Sequence, residues 1–294
     1  MYTKVFRTAG QRMLSKIYLE ITNVCNLNCQ FCHKTSRAKR FLSDEEFKIL
    51  LTKIEGKAKY LHFHLMGEPT LHPLLPKFIK SAKDKGFLPM ITTNGTLLHK
   101  NSEALLSAHP HKVSISLHAP EANEAFASAG YLESCIAFSK QAAECGTVIA
   151  LRLWNLGSGA DNTKILDSLH TYFPGDWKEL RNGASQRLAD KIFLDWGKRF
   201  TWPDVSLPEC SIDADRFCYG LRDQIGILSD GTVVPCCLDA DANLALGNLF
   251  SSELEEILSS PRAKAIYNGF TGRRAVESFC RKCGYAHRFS KQKN

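Results

Sequence analysis

Cys25-Asn26-Leu27-Asn28-Cys29-Gln30-Phe31-Cys32 comes shortly after an apolar run, Ile17 to Ile21, that reads as a buried strand. Three thiols so close in sequence all turn inward only when the loop wraps around one object. Three thiolates hold three irons of a four-iron cluster and leave the fourth iron open to a small molecule. As a zinc site the same trio needs a fourth ligand such as His33, and zinc ribbons pair one C-x₂-C with another roughly 15–20 residues on. Here the next such pair, Cys280 and Cys283, lies at the far end of the chain.

Outward from this loop the pattern alternates. Ser43-Asp44-Glu45-Glu46 has the form of a capping box, which predicts a helix from Asp44 to Ile54. Strands are expected at Tyr60 to Leu65, Leu88 to Thr92, Lys112 to Leu117, Val148 to Trp154 and Lys191 to Asp195. Between them, helices are expected at Pro73 to Lys85 (closed by Gly86), Ser102 to Ala108, Glu121 to Cys145 with a break at Gly130, and Asp161 to Tyr172. Six strands alternating with helices read as an α/β parallel sheet or barrel, whose chemistry sits at the C-terminal ends of its strands. From Gly197 the periodicity fails at Trp202-Pro203 and Leu207-Pro208. Ser229-Asp230-Gly231 between apolar runs predicts a hairpin with a type I′ turn, and two short helices follow at Glu253 to Leu258 and Pro261 to Tyr267.

With Cys25, Cys29 and Cys32 after the first strand and Phe31 before the last cysteine, the loop resembles the signature of the radical S-adenosylmethionine (radical SAM) superfamily. Met66-Gly67-Glu68-Pro69 is similar to that family's GGEP motif, with Met in place of the first glycine, and Thr92-Thr93-Asn94-Gly95 and Ser114-Ile115-Ser116-Leu117 sit where it keeps further SAM contacts. The resemblance covers residues 15 to 196 and implies a partial (β/α)₆ TIM-like barrel. It implies a [4Fe-4S] cluster on Cys25, Cys29 and Cys32, with SAM chelating the open iron and Phe31 near the adenine. The SAM amine falls to Glu68 and the carbonyls of Met66 and Gly67; Thr93 and Asn94 add contacts, and Ser116 and Arg152 are candidates for the SAM carboxylate and ribose. The bland alternative makes Ser116 a hydrogen-bonded strand hydroxyl and Arg152 a structural ion-pair partner. The activity implied is reductive cleavage of SAM to a 5′-deoxyadenosyl radical that abstracts hydrogen from a substrate. His118, two residues beyond Ser116 on the same strand face, is the candidate base. His62 and His64 share one face of the second strand, as lumen residues or as satisfied core histidines.

A second set, Cys218, Cys236, Cys280 and Cys283, flanks the hairpin and resembles the SPASM and twitch extensions of the same superfamily. The chain has no further cysteine after Cys283, so the twitch form with one auxiliary [4Fe-4S] cluster fits better than a full SPASM pair. Structural zinc is the alternative reading of these four thiols. Neighbours in a strand point to opposite sides, so only one of Cys236 and Cys237 should ligate, and Cys236 is preferred because it matches the Gly231-x₄-Cys spacing of those extensions. Cys237, Cys135 and Cys145 are read as buried or inert thiols, and Cys210 is left as a spare ligand. The division expected is 1–196 for the barrel and 197–294 for a small α+β cluster-binding extension.

The 294 residues, 44% hydrophobic and 23% charged, suit a globular protein. No apolar run approaches the length of a membrane span and none follows Lys4, Arg7 and Arg12 as a signal peptide would require, so a cytoplasmic protein without membrane partners is expected. Eleven cysteines in such a chain point to metal or catalysis, not disulfides. The formal charge of +8 matches the excess from Arg262 onward alone, where nine cations, Arg262 included, meet the single acid Glu277. A basic nucleic-acid-binding protein with structural metal sites is the reading of another class, disfavoured because the cations lack interleaved aromatics. The patch suits instead an acidic electron donor, a flavodoxin or ferredoxin, with Arg273, Arg274 and Lys282 as contacts. An auxiliary cluster ligated by four thiolates favours oxidation, first of a peptide or protein side chain and alternatively of a small alcohol, sugar or cofactor precursor. Only about sixteen residues precede the first strand, too few for a leader-peptide-binding domain, which weighs mildly against a peptide. Substrate contacts are expected from the loops Gly157 to Gly159 and Tyr172 to Arg187.

Overall fold

The computed structural model describes residues 13–119, 130–177, 183–209 and 215–289. Five parallel strands, β1 (Leu14–Leu19), β2 (Ala58–His62), β3 (Leu88–Thr93), β4 (Lys112–Ser116) and β5 (Val148–Leu156), lie side by side in chain order, and β7 (Ile192–Lys198) continues the series beside β5. The crossovers carry α1 (Asp44–Ile54), α2 (Leu75–Asp84), α3 (Leu98–Ala108), α4 (Tyr131–Glu144) and α5 (Thr163–Tyr172). Parallel neighbours require such crossovers. One strand face supplies the core beneath the helices: Ile17, Leu19, Leu61, Ile91, Val113, Ile115, Ile149, Leu151, Leu153 and Leu194 are at most 1% exposed. The alternate residues, among them Tyr18, His62, Ser116, Arg152 and Trp154, therefore face the lumen.

The sheet does not close. Beyond β7 it ends in an antiparallel strand, β6 (Ser185–Ala189), and β1 is flanked on its other edge by β8 (Gln224–Ile227), with β9 (Thr232–Val234) and β10 (Gly247–Asn248) outside it. The architecture is a partial (β/α)₆ barrel carrying a small α+β extension, which includes α6 (Leu254–Leu258), α7 (Pro261–Thr271) and α8 (Ser278–Arg281). β8 pairs with β1 in parallel, Tyr18 opposite Gly226, so one sheet runs through both parts.

The capping box forms as expected: Ser43 accepts from the Glu46 N–H at 3.2 Å and Glu46 accepts from the Ser43 N–H at 2.8 Å. The hairpin is present but its turn is not type I′. Gly231 is left-handed (φ +83°) and Asp230 is not, and the Gly231 N–H reaches the Leu228 carbonyl at 2.8 Å. That is a turn followed by a left-handed residue, the three-residue loop form. The expected helix from Glu121 lies outside the described residues up to Gly130; α4 begins at Tyr131.

Candidate functional site

The loop after β1 is held by polar side chains, since it has little apolar content of its own. Asn94, just beyond β3, donates from Nδ2 to Asn26 Oδ1 at 2.9 Å, and Asn26 donates to Thr96 Oγ1 at 2.8 Å. Thr96 closes the ring by donating to Asn94 Oδ1 at 2.7 Å. Tyr131 Oη donates to the Asn94 carbonyl at 2.8 Å. Cys25, Cys29 and Cys32 are all half-buried on this frame. Burial pushes the Cys25 thiol up to about 11 despite the Leu27 N–H directed at its sulfur, with Glu68, Cys29 and Cys32 adding to the rise.

The Met66–Pro69 segment lies against the same loop. Gly67 has φ +76°, and a Cβ built on it stands 2.5 Å from the Thr22 carbonyl oxygen and 2.8 Å from that of Val24, so the two backbones touch where only glycine fits. The next N–H, of Glu68, donates to the Val24 carbonyl at 2.8 Å. Glu68 is 2% exposed, and its carboxylate accepts from the Thr70 N–H (3.0 Å), Thr70 Oγ1 (2.7 Å) and the Asn94 N–H (2.7 Å), with the Thr93 hydroxyl also bonded to it. A carboxylate has about four lone-pair sites, so these contacts use them and make Glu68 the brace between the β2 and β3 loops. Burial raises its pKa while these donors lower it.

Glu20, at the C-terminal end of β1, is fully buried and joins the two cysteine-bearing regions. Arg37 Nη2 reaches both its oxygens at 2.7 Å, the Met66 N–H donates to one at 3.2 Å, and Ser229 of the hairpin donates from Oγ at 2.9 Å. A second tie is Asp241, which accepts from Thr35 Oγ1 at 2.7 Å and the Ser36 N–H at 2.8 Å and contacts His33 Nε2 at 3.2 Å. His33 is thereby engaged away from the cysteines. The sequence reading missed Glu20, Arg37 and Asp241; a lone carboxylate inside the apolar run Ile17 to Ile21 was the available signal.

Cys218, Cys236, Cys280 and Cys283 line one cavity of about 40 Å³, walled by Pro203, Leu244, Phe270 and Phe279. That exceeds the space of one water. Each thiol is pushed up by burial, Cys218 to about 11, and Cys236 feels the other three. Cys237 lines the cavity too, so residues 236 and 237 do not point to opposite sides: they lie beyond the end of β9, where strand alternation no longer applies. Its thiol is hydrogen-bonded to Tyr18, and Tyr18 and Tyr285 form the wall between this cavity and the barrel lumen. Cys135 is buried as expected, whereas Cys145 is exposed at the end of α4; Cys210 lies outside the described residues.

In the lumen, His118 is 9% exposed, its ring 5.3 Å from that of Phe31 and its Nδ1 3.1 Å from the Arg152 carbonyl. Tyr18 stacks on His62 at 4.5 Å and meets His64 edge-on at 5.4 Å. Arg152 stands opposite Ser116 on one side and Asp195 on the other, but its guanidinium lies on Trp154, near Tyr18, Tyr285 and Arg288. Burial pulls its pKa down to about 10. The Ser116 carbonyl accepts from Tyr131 Oη at 3.4 Å.

The C-terminal cations are less free than their sequence neighbours imply. Arg273 pairs with Asp215, Arg281 with Glu209 at 3.0 Å, and Arg262 with Glu277 at 2.8 Å. Two of these acids come from the segment before the hairpin, so a local tally overstates the patch. Among the described residues no helix is long and apolar enough to cross a membrane.

Residues 19–136 match the radical SAM superfamily and residues 218–284 an iron–sulfur cluster-binding domain, SPASM. The chain carries a radical SAM domain and a SPASM domain. Among curated relatives, the probable GTP 3′,8-cyclase of Methanococcus maripaludis strain C7 is 33% identical over 142 residues, 46% of this chain and 47% of that one. The tungsten-containing aldehyde ferredoxin oxidoreductase cofactor-modifying protein of Pyrococcus furiosus is 36% identical over 87 residues, 28% of this chain and 24% of that one. The chain thus spans about half the length of the cyclase and a quarter of the other. Among solved structures, BtrN in complex with AdoMet and 2-DOIA superposes with a TM-score of 0.58 at 18% identity, over 93% and 94% of the two chains. Streptococcus suis SuiB bound to S-adenosylmethionine gives 0.61 at 17% identity, over 92% of this chain and 71% of SuiB.

Radical SAM and SPASM domains carry a SAM-binding [4Fe-4S] cluster and auxiliary iron–sulfur clusters, and the side chains present suit them. Among the described residues no three His, Cys, Asp or Glu side chains are grouped as ligands of a single ion. The four C-terminal thiols instead surround a cavity, and buried thiols become thiolates most readily against a metal centre.

Proposed function

We propose that this radical SAM enzyme carries out a net oxidation of a substrate group docked in the lumen between its two cysteine sets, with residues 1–196 as the barrel and 197–294 as the twitch-like extension. One observation supports this above the others. The lumen meets the three-cysteine loop at Phe31 and His118, and on its other side Tyr18, stacked on His62, and Tyr285 line the four-cysteine cavity. Cys25, Cys29 and Cys32 would hold the SAM-binding cluster, and Cys218, Cys236, Cys280 and Cys283 the auxiliary one. When bound, these groups and SAM supply a hydrogen-abstracting 5′-deoxyadenosyl radical on one side of the substrate and a one-electron acceptor on the other.

The chain's own residues position and protect. Glu68 fixes the two loops, leaving the SAM amine to the Met66 and Gly67 carbonyls; Phe31, Thr93, Asn94 and Ser116 complete the SAM side. His118 takes the proton that leaves with the second electron. Nδ1 lies 3.1 Å from the Arg152 carbonyl and 3.4 Å from the Trp154 N–H, contacts that orient the ring beside Phe31. A peptide or protein side chain entering from the barrel mouth is the first substrate reading. A small molecule held whole is the second, favoured by the ring-lined wall of Tyr18, His62 and His64. The electron donor is a flavodoxin or ferredoxin, and the protein is cytoplasmic. Anaerobic reconstitution with iron and sulfide, then reduction with SAM, should yield 5′-deoxyadenosine; none from the fully loaded protein would end this reading.

A further inference from the structure

Trp154, at the C-terminal end of β5, carries two guanidinium groups. Arg152 lies 3.7 Å from its ring centroid and Arg288, from the far end of the chain, 4.7 Å from the same centroid. Gly197 of the neighbouring strand makes room for the ring: a Cβ there would stand 3.0 Å from it. Arg288 is further fixed by the Lys198 carbonyl, which accepts from Nη2 at 2.7 Å, and by Tyr285, 4.7 Å from its Cζ. Both cations are thus built in, one from the barrel and one from the extension.

Stacking on an aromatic face favours each guanidinium, but two like charges around one ring repel. Among the described residues no carboxylate lies within ion-pair distance of either. Asp195 is the acid that bears on Arg152, and its carboxylate accepts from Ser185 Oγ at 2.6 Å. Nor do they serve the four-cysteine cavity, beside which Arg216 already stands, donating to the Cys283 carbonyl at 3.1 Å. Close by in the lumen, Nδ1 of His64 is buried with no partner among the described residues. Two guanidinium forks and one unspent imidazole nitrogen are the complement of an anion with several acceptor oxygens.

We propose that Arg152 and Arg288, mounted on Trp154, are the receptor for an anionic group of the substrate, a carboxylate or a phosphate, and that His64 completes it. Because Arg288 arrives from the C-terminal segment, the bound anion would also fasten the extension across the lumen. The inference rests on the lumen being the substrate site but does not require turnover.

The test is isothermal titration of the anaerobic holoenzyme, at constant ionic strength, with inorganic phosphate in one series and acetate in the other. One saturable site is expected for one of the two, and which one binds separates phosphate from carboxylate. Arg288→Gln should weaken it at least tenfold and Arg288→Lys less, while Lys85→Gln, an exposed cation just after α2, leaves it unchanged. Arg152→Gln gives a second reading if the first variant loses iron. Absence of saturable binding by either anion, or equal binding by wild type and both Gln variants, overturns the proposal. A failure of the oxidation reading would show separately, as absent 5′-deoxyadenosine.

Discussion

Gly67→Ala separates backbone strain from loop contact at the point where the Met66–Pro69 segment meets the cysteine loop. Two costs apply. A left-handed φ of +76° on a residue with a Cβ costs about 1–2 kcal/mol. The new Cβ also stands 2.5 Å from the Thr22 oxygen, where ordinary contact begins at 3.4 Å, so backbone must move by roughly 0.9 Å. Forcing such overpacking adds about 1–3 kcal/mol. Gly56→Ala supplies the control: its φ is +71° and nothing lies within 4 Å of its Cβ, so it bears the first cost alone. Urea unfolding should therefore rank Gly67→Ala below Gly56→Ala by about 1–3 kcal/mol. Since the displaced residues immediately precede Cys25, Gly67→Ala should also lose SAM-dependent product by tenfold or more, because misplacements near 1 Å are costly to catalysis. Equal stability for the two variants, with iron content and activity retained in both, would refute the tight contact.

Glu20→Ala strands the Arg37 guanidinium beside a fully buried position and should cost about 3–5 kcal/mol in urea unfolding, against at most about 1 kcal/mol for Lys85→Ala in the exposed pair with Glu55. Similar losses would deny Glu20 its central place. The His64 pKa is held near 3 by burial, below its ordinary 6.5, so between those values the unfolded chain binds the extra proton. The contribution is whole above pH 6.5 and is lost as pH falls toward 3; the urea midpoint should drop from pH 7.5 to 5, and less in His64→Gln. A pH response identical in the variant would contradict this. Electron delivery from a flavodoxin should weaken with added salt, and more in a double Arg274→Gln, Lys282→Gln variant than in Arg273→Gln, whose charge is already paired with Asp215. Rates independent of ionic strength would remove the docking surface.

What the sequence made legible was what is local. The capping box at Ser43, the alternation from β1 to β5 and the cysteine spacing depend on near neighbours, and each recurs in the structure. β6 escaped because Ser185–Ala189 has no buried face to leave an apolar rhythm. The union of β8 with β1 escaped because it joins residues about two hundred positions apart, as did the pairing of Arg273 and Arg281 with acids before the hairpin. Glu68 shows a subtler limit: its motif was visible, but the four donors that occupy it come from Thr70, Thr93 and Asn94 and emerge only once the loops converge. That Cys236 and Cys237 both line the cavity escaped because strand alternation stops at Val234.

The central claim is that two distinct cysteine sets hold two clusters and that only the first cleaves SAM. Iron counting with 5′-deoxyadenosine assay of anaerobically reconstituted wild type, a Cys25/Cys29/Cys32→Ala variant and a Cys218/Cys236→Ala variant tests it most directly. The account predicts about eight irons in wild type and about four in each variant, with 5′-deoxyadenosine formed by wild type and by the second variant but not by the first. Zinc in place of iron at the four-cysteine set, or SAM cleavage that survives loss of Cys25, Cys29 and Cys32, would contradict it.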